Sequence, residues 1–560
     1  MKKSAIPSLI LSALLLLAAG GGASLAQKQD APEKSHDLSF QRNLYVFNAL
    51  ARALEESYVD SIRTDDAFKA AIGAMLSTVD PYTEYYDSDS KDALAKMTTG
   101  EWGGIGSFIL ERDGATYISE PIEGSPAHKA GLRAGDRIVR VDTASTAGMK
   151  SGEVSTRLKG QPGTDVHVEV VRPFAKDSLL SFDITREKVK ERGVPYFGLL
   201  DGGIGYVRLT SFIDTAAEEV EAALDSLRAM PGLNAIALDL RGNGGGLVEQ
   251  AVDIVGFFVP KNTVVLRTRG RGAADEKVYK TTRNPIMPDI PLAVLIDGGS
   301  ASASEITAGA LQDLDRAILL GTQSFGKGLV QGTRELPYDG LLKVTVAKYY
   351  IPSGRLIQAL DYSRRNPDGS VARTPDSLTN AYRTAHGREV RDGGGLRPDS
   401  VLDWGEARSL LYDLVTSHTI FDYATRYAAS HPSIGDPRDF SISDADYEAF
   451  IAEADTSKLS ADREALELLT DLRKTVKDEG FLSDSIASLL DSLEPALQPD
   501  LRRDLRNNRR EVMDMINGEI AMRYALQSGR AANETRNDVA LRALREILAE
   551  PGRYSRMLRP

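Results

Sequence analysis

Between residues 190 and 352, short apolar runs alternate with amphipathic stretches, and this alternation restricts the fold more than any other feature of the chain. Ile204–Leu209, Ala235–Leu240, Leu292–Ile296, Ala317–Gly321 and Lys343–Tyr349 read as strands. Val220, Leu224 and Leu227, and then Val248, Ala251, Val252 and Val255, recur at helical spacing. Strands alternating with helices predict an α/β layer, with sites at the carboxyl ends of the strands. Two strand ends carry unusual chemistry. One runs into Asp239-Leu240-Arg241-Gly242-Asn243-Gly244-Gly245-Gly246, the other into Gly299-Ser300-Ala301-Ser302-Ala303-Ser304-Glu305.

The flanks differ in character. Residues 36–99 are helical in pattern, with Leu44, Phe47, Leu50, Leu54 and Tyr58 three and four apart and a break at Asp80-Pro81-Tyr82. Residues 100–182 change to short strands. Gly103-Gly104-Ile105-Gly106 precedes them, and Gly124-Ser125-Pro126-Ala127, Ala130-Gly131-Leu132 and Gly135-Asp136 follow in order. This segment resembles a PDZ domain, which takes a peptide's C-terminus as an added strand. The resemblance makes Gly103, Gly104, Ile105 and Gly106 the loop whose N–H groups hold the terminal carboxylate. The α/β core spans 190–400, and 353–400 is polar and turn-rich. Residues 401–560 return to helix, with an apolar stripe through Leu501, Leu505, Val512, Ile516 and Ile520. Arg502, Arg503, Arg506, Arg509 and Arg510 beside it read as a solvated face, since Asp504 and Glu511 are interleaved.

Composition excludes several functions. A net charge of −12 argues against nucleic acid as the ligand. With no cysteine there are no disulfides, thiolate metal sites or cysteine nucleophiles. The six histidines never fall at helical ligand spacing, which argues against a zinc protease; no metal is expected. Lys2 and Lys3, the apolar run Leu9–Ala19 and Ala23-Ser24-Leu25-Ala26 form a signal peptide over residues 1–26. Export to the periplasm is expected, with an uncleaved membrane anchor as the alternative.

Ser302 opens a helix directly after a strand, so helix-end N–H groups face any oxyanion formed there. Ala303 N–H is one donor, and the Gly244–Gly246 loop, through Gly245, offers a second. Alone, Ser302 with Glu305 reads as a capping box. Lys327, in Ser324-Phe325-Gly326-Lys327-Gly328, is the base available to a serine without a nearby histidine. It requires burial to lower its pKa, and Phe325 and Leu329 suit a dry setting.

Taken in order, Asp239–Gly246, Gly299–Asp313 and Ser324–Gln331 resemble the C-terminal processing peptidases, or tail-specific proteases. The resemblance implies an α+β multidomain chain: a core similar to the crotonase and Clp-protease folds, an inserted PDZ domain and helical N- and C-terminal regions. It places the nucleophile on Ser302, the general base on Lys327 and a lysine-orienting glutamine on Gln331. Gln331 follows Lys327 by four positions, as on one helix face. Asp313 takes a supporting role, and Arg172 couples peptide binding to the active site. No cofactor is expected. The partners are protein and peptide C-terminal tails, with a second copy or an adaptor protein left open. The glycine at Gly244 departs from a family loop that often carries proline. The implied function is an exported serine endopeptidase cutting near C-termini. A catalytically inactive PDZ scaffold and a crotonase-like acyl-CoA enzyme are the competing readings.

Overall fold

The computed structural model describes residues 33–559, apart from 89, 177, 273–274, 367–368, 403–408, 455–463 and 499. The expected signal segment, 1–26, lies outside the described residues. The chain divides into two units, Met1–Ala74 and Met75–Pro560. The first contains the helix Glu33–Ser57 and most of Thr64–Ser77, with Phe47 edge-on to Phe68. Leu44, Phe47, Leu50 and Leu54 all lie 42–59% exposed. Their helical period is present, but a pair of helices has no further layer to close over an apolar face.

The helical N-terminal segment does not run unbroken to residue 99. Glu84–Tyr86 forms a strand paired antiparallel with Leu341–Tyr350, so this stretch belongs to the core. Asp80 creates the break: its carboxylate accepts the N–H groups of Tyr82 and Thr83, both at 2.8 Å, a local bond that competes with helix.

The core contains a six-stranded sheet. Its order is Tyr196–Leu200, Ile204–Arg208, Ala235–Asp239, Leu292–Ile296, Ile318–Gly321, Ser400–Val401, and all pairs but the first are parallel. Ala235–Asp239 and Leu292–Ile296 are buried at every position, as expected of a sheet covered on both faces. Helices Ala216–Arg228, Val248–Gly256 and Ala303–Asp313 supply one cover. The other comes from the far end of the chain, where Ala540, Leu541, Leu544 and Ile547 pack on Tyr206, Ala237, Ala293 and Leu295. Among the described residues of 401–560, helices between 409 and 534 build a body with its own core, and Val539–Ala549 covers the six-stranded sheet. Leu505, Val512, Ile516 and Ile520 of the predicted stripe lie in that core. Arg506 and Arg509 pair outside it with Glu448 and Asp444.

A second, antiparallel sheet carries Glu84–Tyr86, Leu341–Tyr350, Val264–Arg269, Lys277–Lys280 and Leu329–Glu335. The strand-rich segment with the PDZ-like pattern is reached through a ribbon of Glu101–Gly104 and Glu187–Lys190. Its sheet runs Ser107–Arg112, Ala115–Pro121, Arg137–Val141, Asp165–Val171, Leu179–Thr185, leaving Ser107–Arg112 at an edge.

Candidate active site

The two strand ends are joined by one carboxylate. Asp297 Oδ1 accepts Gly242 N–H and Gly299 N–H, each at 2.9 Å, and Ser300 N–H at 3.1 Å. Ser300 Oγ donates to Leu240 O at 2.8 Å. Between these anchors the chain turns sharply into the helix Ala303–Asp313, and Ser302 takes φ 56° and ψ −113°. A positive φ is costly for a residue with a Cβ, so the surroundings must hold it. Ala303 occupies the first helical turn, where N–H groups have no acceptor within the helix.

Gly245 lies directly against this turn. A Cβ there would sit 2.8 Å from Ser302 Cβ and 2.9 Å from Ala303 N, at a φ of +101°, so only glycine fits. Its expected role as an oxyanion donor needs correction for this conformation: Gly245 N–H donates to Asn243 Oδ1 at 2.8 Å. A Gly245 N–H aimed at substrate requires that bond to break.

Glu305 organises the site. It is fully buried, and of the expected capping box its carboxylate makes the half that accepts Ser302 N–H, while the Ser302 side chain makes no cap hydrogen bond. Its Oε2 accepts Ser302 N–H at 3.0 Å and Lys327 N–H at 2.9 Å. Its Oε1 accepts Ser324 Oγ at 2.5 Å and Gly326 N–H at 2.7 Å. Burial pushes the carboxyl up from its ordinary range, and these hydrogen bonds oppose the shift. The sequence assigned Glu305 to the cap alone; its bonds to the lysine loop join residues 21 and 22 positions apart.

Lys327 is largely buried, and burial, followed by the charge of Lys343, pulls its amine down to about 8. The cover is not Phe325, which is 44% exposed, but Tyr82, whose ring centroid lies 4.2 Å from Nζ. Tyr82 packs edge-on to Tyr362 and is reached from its hydroxyl at 3.3 Å. Asp80, Glu305 and Glu84 keep the amine from falling further. Nothing in the local pattern around Tyr82 announced this contact, because it spans 245 positions and the break at Asp80-Pro81 read only as a turn.

Gln331 departs from the expected helix face. It lies in the strand Leu329–Glu335, and its amide donates to Thr345 Oγ1 at 3.3 Å across the ladder. A spacing of four puts side chains together on a helix but not along a strand. Asp313 ends the serine helix in a buried pair with Arg355 at 2.8 Å and accepts Ser353 N–H at 2.9 Å. Its support is thus to the helix's far end. Arg316, its neighbour in sequence, instead binds the carbonyls of Phe258, Met287 and Ile290. Among the described residues no three His, Asp or Glu side chains are grouped to hold a metal ion.

A model of peptidase family S41 matches residues 203–371, a PDZ model matches 117–172, and a model described as the C-terminal helical domain of a probable PDZ-protease matches 410–548. The chain is 35% identical over 341 residues to a carboxy-terminal-processing protease of Bartonella bacilliformis, covering 60% of this chain and 78% of that one. It is 32% identical over 353 residues to the carboxy-terminal processing protease CtpA of Bacillus subtilis, covering 63% and 73%. The chain belongs to the carboxy-terminal processing proteases of peptidase family S41. Among solved structures it is similar to a photosystem II D1 C-terminal processing protease, at 28% identity and a TM-score of 0.35, covering 64% of this chain and 92% of that one.

As a carboxy-terminal processing protease, the chain is a serine-type endopeptidase carrying a PDZ domain. In that domain the loop expected over Gly103–Gly106 is shorter. Gly103 and Gly104 pair with Lys188 and Glu187 in the ribbon, leaving Ile105 and Gly106 as the turn before the edge strand. Ile105 O accepts Ala127 N–H at 2.7 Å, and Gly106 O accepts Ser125 Oγ at 2.7 Å. The helix Ser151–Leu158 packs beside the edge strand. Arg172 is bound within the PDZ domain. Its guanidinium makes two 2.7 Å bonds to the Asp136 carboxylate and one to Gly131 O, rather than reaching the protease residues. A bidentate partner at the Gly135-Asp136 turn outcompetes any longer reach.

Proposed function

We propose that this protease is exported, that it captures protein C-terminal tails at the PDZ edge strand, and that it cuts them by a serine–lysine mechanism. The observation that carries the proposal is the pairing of a strained serine at a helix N-terminus with a buried lysine, both held by Glu305. In the resting arrangement Lys327 Nζ lies over Tyr82, and no hydrogen bond to Ser302 is formed. Substrate entry brings the neutral amine to the hydroxyl. Lys327 takes the proton as Ser302 Oγ bonds to the peptide carbonyl carbon. Ala303 N–H, joined by a glycine-loop N–H, holds the oxyanion. The C–N bond then breaks, and the Lys327 ammonium returns its proton to the leaving amine. A water, deprotonated by Lys327, hydrolyses the ester. Gln331 orients the amine once its bond to Thr345 is exchanged.

The tail enters as a strand beside Ser107–Arg112, with its carboxylate at Ile105 and Gly106. Export rests on Lys2, Lys3, the run Leu9–Ala19 and the small residues before Gln27. The test is to incubate the mature protein and its Ser302→Ala variant with peptides ending in apolar residues with free carboxylates, and to map cuts by mass spectrometry. N-terminal sequencing of the exported protein, expected to begin at Gln27, tests the signal. Cleavage unaffected by Ser302→Ala would overturn the mechanism, and an intact Met1 in a membrane fraction would favour an anchor.

A further inference from the structure

The glycine loop beside Ser302 is held largely through its backbone: Asn243 O accepts Ala301 N–H at 3.0 Å and Ser304 Oγ at 2.8 Å, and Gly245 O accepts Phe212 N–H at 3.0 Å. From Gly242 to Gly246 its one side chain beyond hydrogen is Asn243. Asn243 Nδ2 donates to Leu209 O at 2.8 Å, and Asp297 takes Gly242 N–H at 2.9 Å. A further stake is Arg241, at the loop's entrance. Arg241 grips Asp239 through Nε at 2.8 Å and Nη2 at 2.5 Å. Asp239 is fully buried and also accepts from Arg208 at 2.9 Å and Tyr206 at 2.7 Å. Burial disfavours its charge, but Arg241 and Arg208 outweigh burial and hold it well below the usual carboxylate range.

Two guanidinium groups on one buried carboxylate leave a positive excess, and the C-terminal segment supplies the balancing charge. Asp538 Oδ2 lies 2.7 Å from Arg241 Nη2, and the Asp538 side chain is 8% exposed. Its other oxygen caps the helix Val539–Ala549, accepting Ala540 N–H at 2.8 Å and Leu541 N–H at 2.9 Å. One residue thus ends the helical body, starts the helix that covers the protease sheet, and holds the arginine before the glycine loop. Beside it lies a cavity of about 320 Å³, lined by Arg208, Arg241, Asp297, Glu534 and Asp538.

We propose that Asp538 is a positioning residue of the protease site: through Arg241 it fixes the glycine loop against Ser302, so that the C-terminal helical region completes the side of the site that binds the oxyanion. This rests on the reading of Ser302 as nucleophile and of the loop as oxyanion donor. The 409–558 region is then part of the catalytic apparatus and not only a lid on the sheet. A loop shifted by a fraction of an ångström weakens transition-state binding while leaving ground-state binding nearly unchanged.

The test uses the full chain with Asp538→Asn and Asp538→Ser. Both keep an oxygen for the helix cap; neither offers Arg241 a carboxylate. Three quantities are read: kcat and KM on a cleaved peptide, affinity for a peptide boronic acid that forms a tetrahedral adduct on the serine, and melting temperature. The expected result is a kcat loss of about tenfold or more with KM within about twofold. The boronate should weaken in parallel, and the melting temperature should move by no more than about 3 °C. A kcat within twofold of wild type, or an activity loss that follows only a collapse in melting temperature or a rise in KM, overturns the proposal. Failure of the underlying reading looks different: Ser302→Ala would still cleave, or the wild type would not bind the boronate.

Discussion

Ser302 and Lys327 hang from a single oxygen atom: the backbone N–H of each donates to Glu305 Oε2, at 3.0 and 2.9 Å. The nucleophile turn and the lysine loop are therefore placed relative to one another before any side chain moves. Glu305→Gln should break this arrangement. An amide has one acceptor oxygen, so its NH2 must face either Ser302 and Lys327 or Ser324 and Gly326, where donors already point. Leaving buried N–H groups unpaired should cost about 2–4 kcal/mol, and kcat should fall about tenfold to a hundredfold. Urea unfolding and kinetics at matched folded fraction check this; an unchanged kcat would remove Glu305 from the positioning role.

Ser302→Ala should abolish cleavage, by roughly a thousandfold or more, while the PDZ domain still binds tails. Stability should change by no more than about 1 kcal/mol, because the Ser302 side chain makes no cap hydrogen bond. Relief of the positive φ does not follow, because alanine also carries a Cβ. Cleavage within tenfold of wild type would move the nucleophile elsewhere.

Where local pattern and tertiary environment agreed, the sequence was readable. Leu292–Ile296 occurs as predicted, and Ile204, Ala235 and Val220 fall in the expected elements, because strands buried on both faces are unbroken apolar runs. The serine turn was legible from Gly299 to Glu305, since strand, glycine and cap adjoin in sequence. The glycine loop's approach to Ser302 was also legible, but most side-chain partners distant in sequence were not. The spacing of Gln331 from Lys327 suggests a helix face, yet it lies on a strand, because a four-residue stretch cannot separate helix from strand. Tyr82 over Lys327, Arg172 on Asp136 and Asp538 on Arg241 are each set by docking between segments far apart in sequence. Nor does helical periodicity say that Leu544 will cover a sheet rather than another helix.

Tail capture should depend on a free carboxylate and on Gly106. Gly106 has φ +75°, and a Cβ there would come within 2.4 Å of Ser125 Cβ. Gly106→Ala must therefore move the turn that leads into the edge strand. In the full-length Ser302→Ala background, a peptide acid should bind at least about tenfold tighter than its amide, consistent with a charge-assisted contact of about 1.5–3 kcal/mol. Gly106→Ala should erase most of that difference. Calorimetry reads both, and equal affinities for acid and amide would show that this turn does not take the carboxylate.

The acid limb of the pH–rate profile should belong to Lys327. Its folded pKa, about 8, lies below its ordinary value of 10.5, with burial the leading cause and Lys343 the second. Only the neutral amine accepts the Ser302 proton, so kcat/KM should climb as pH rises and level off above about 8. The same shift carries a stability consequence of opposite use. Because the folded pKa is lowered, the ammonium burdens the folded state fully below pH 8, and the burden fades as pH rises from 8 to 10.5. Lys327→Met should therefore be inactive yet more stable at pH 7, by roughly 2 kcal/mol, with the gain shrinking toward pH 10. Lys327→Arg should also be inactive, since guanidinium keeps its proton at any workable pH. Tyr82→Phe keeps a ring under Nζ and should leave the limb nearly in place; Tyr82→Ala opens the site to water, which should carry the limb upward toward the ordinary lysine value. Kinetics from pH 6 to 10 on these variants, beside thermal melts across the same range, measure both effects. An active Lys327→Arg, or a limb that stays fixed in Tyr82→Ala, would assign the base to another group.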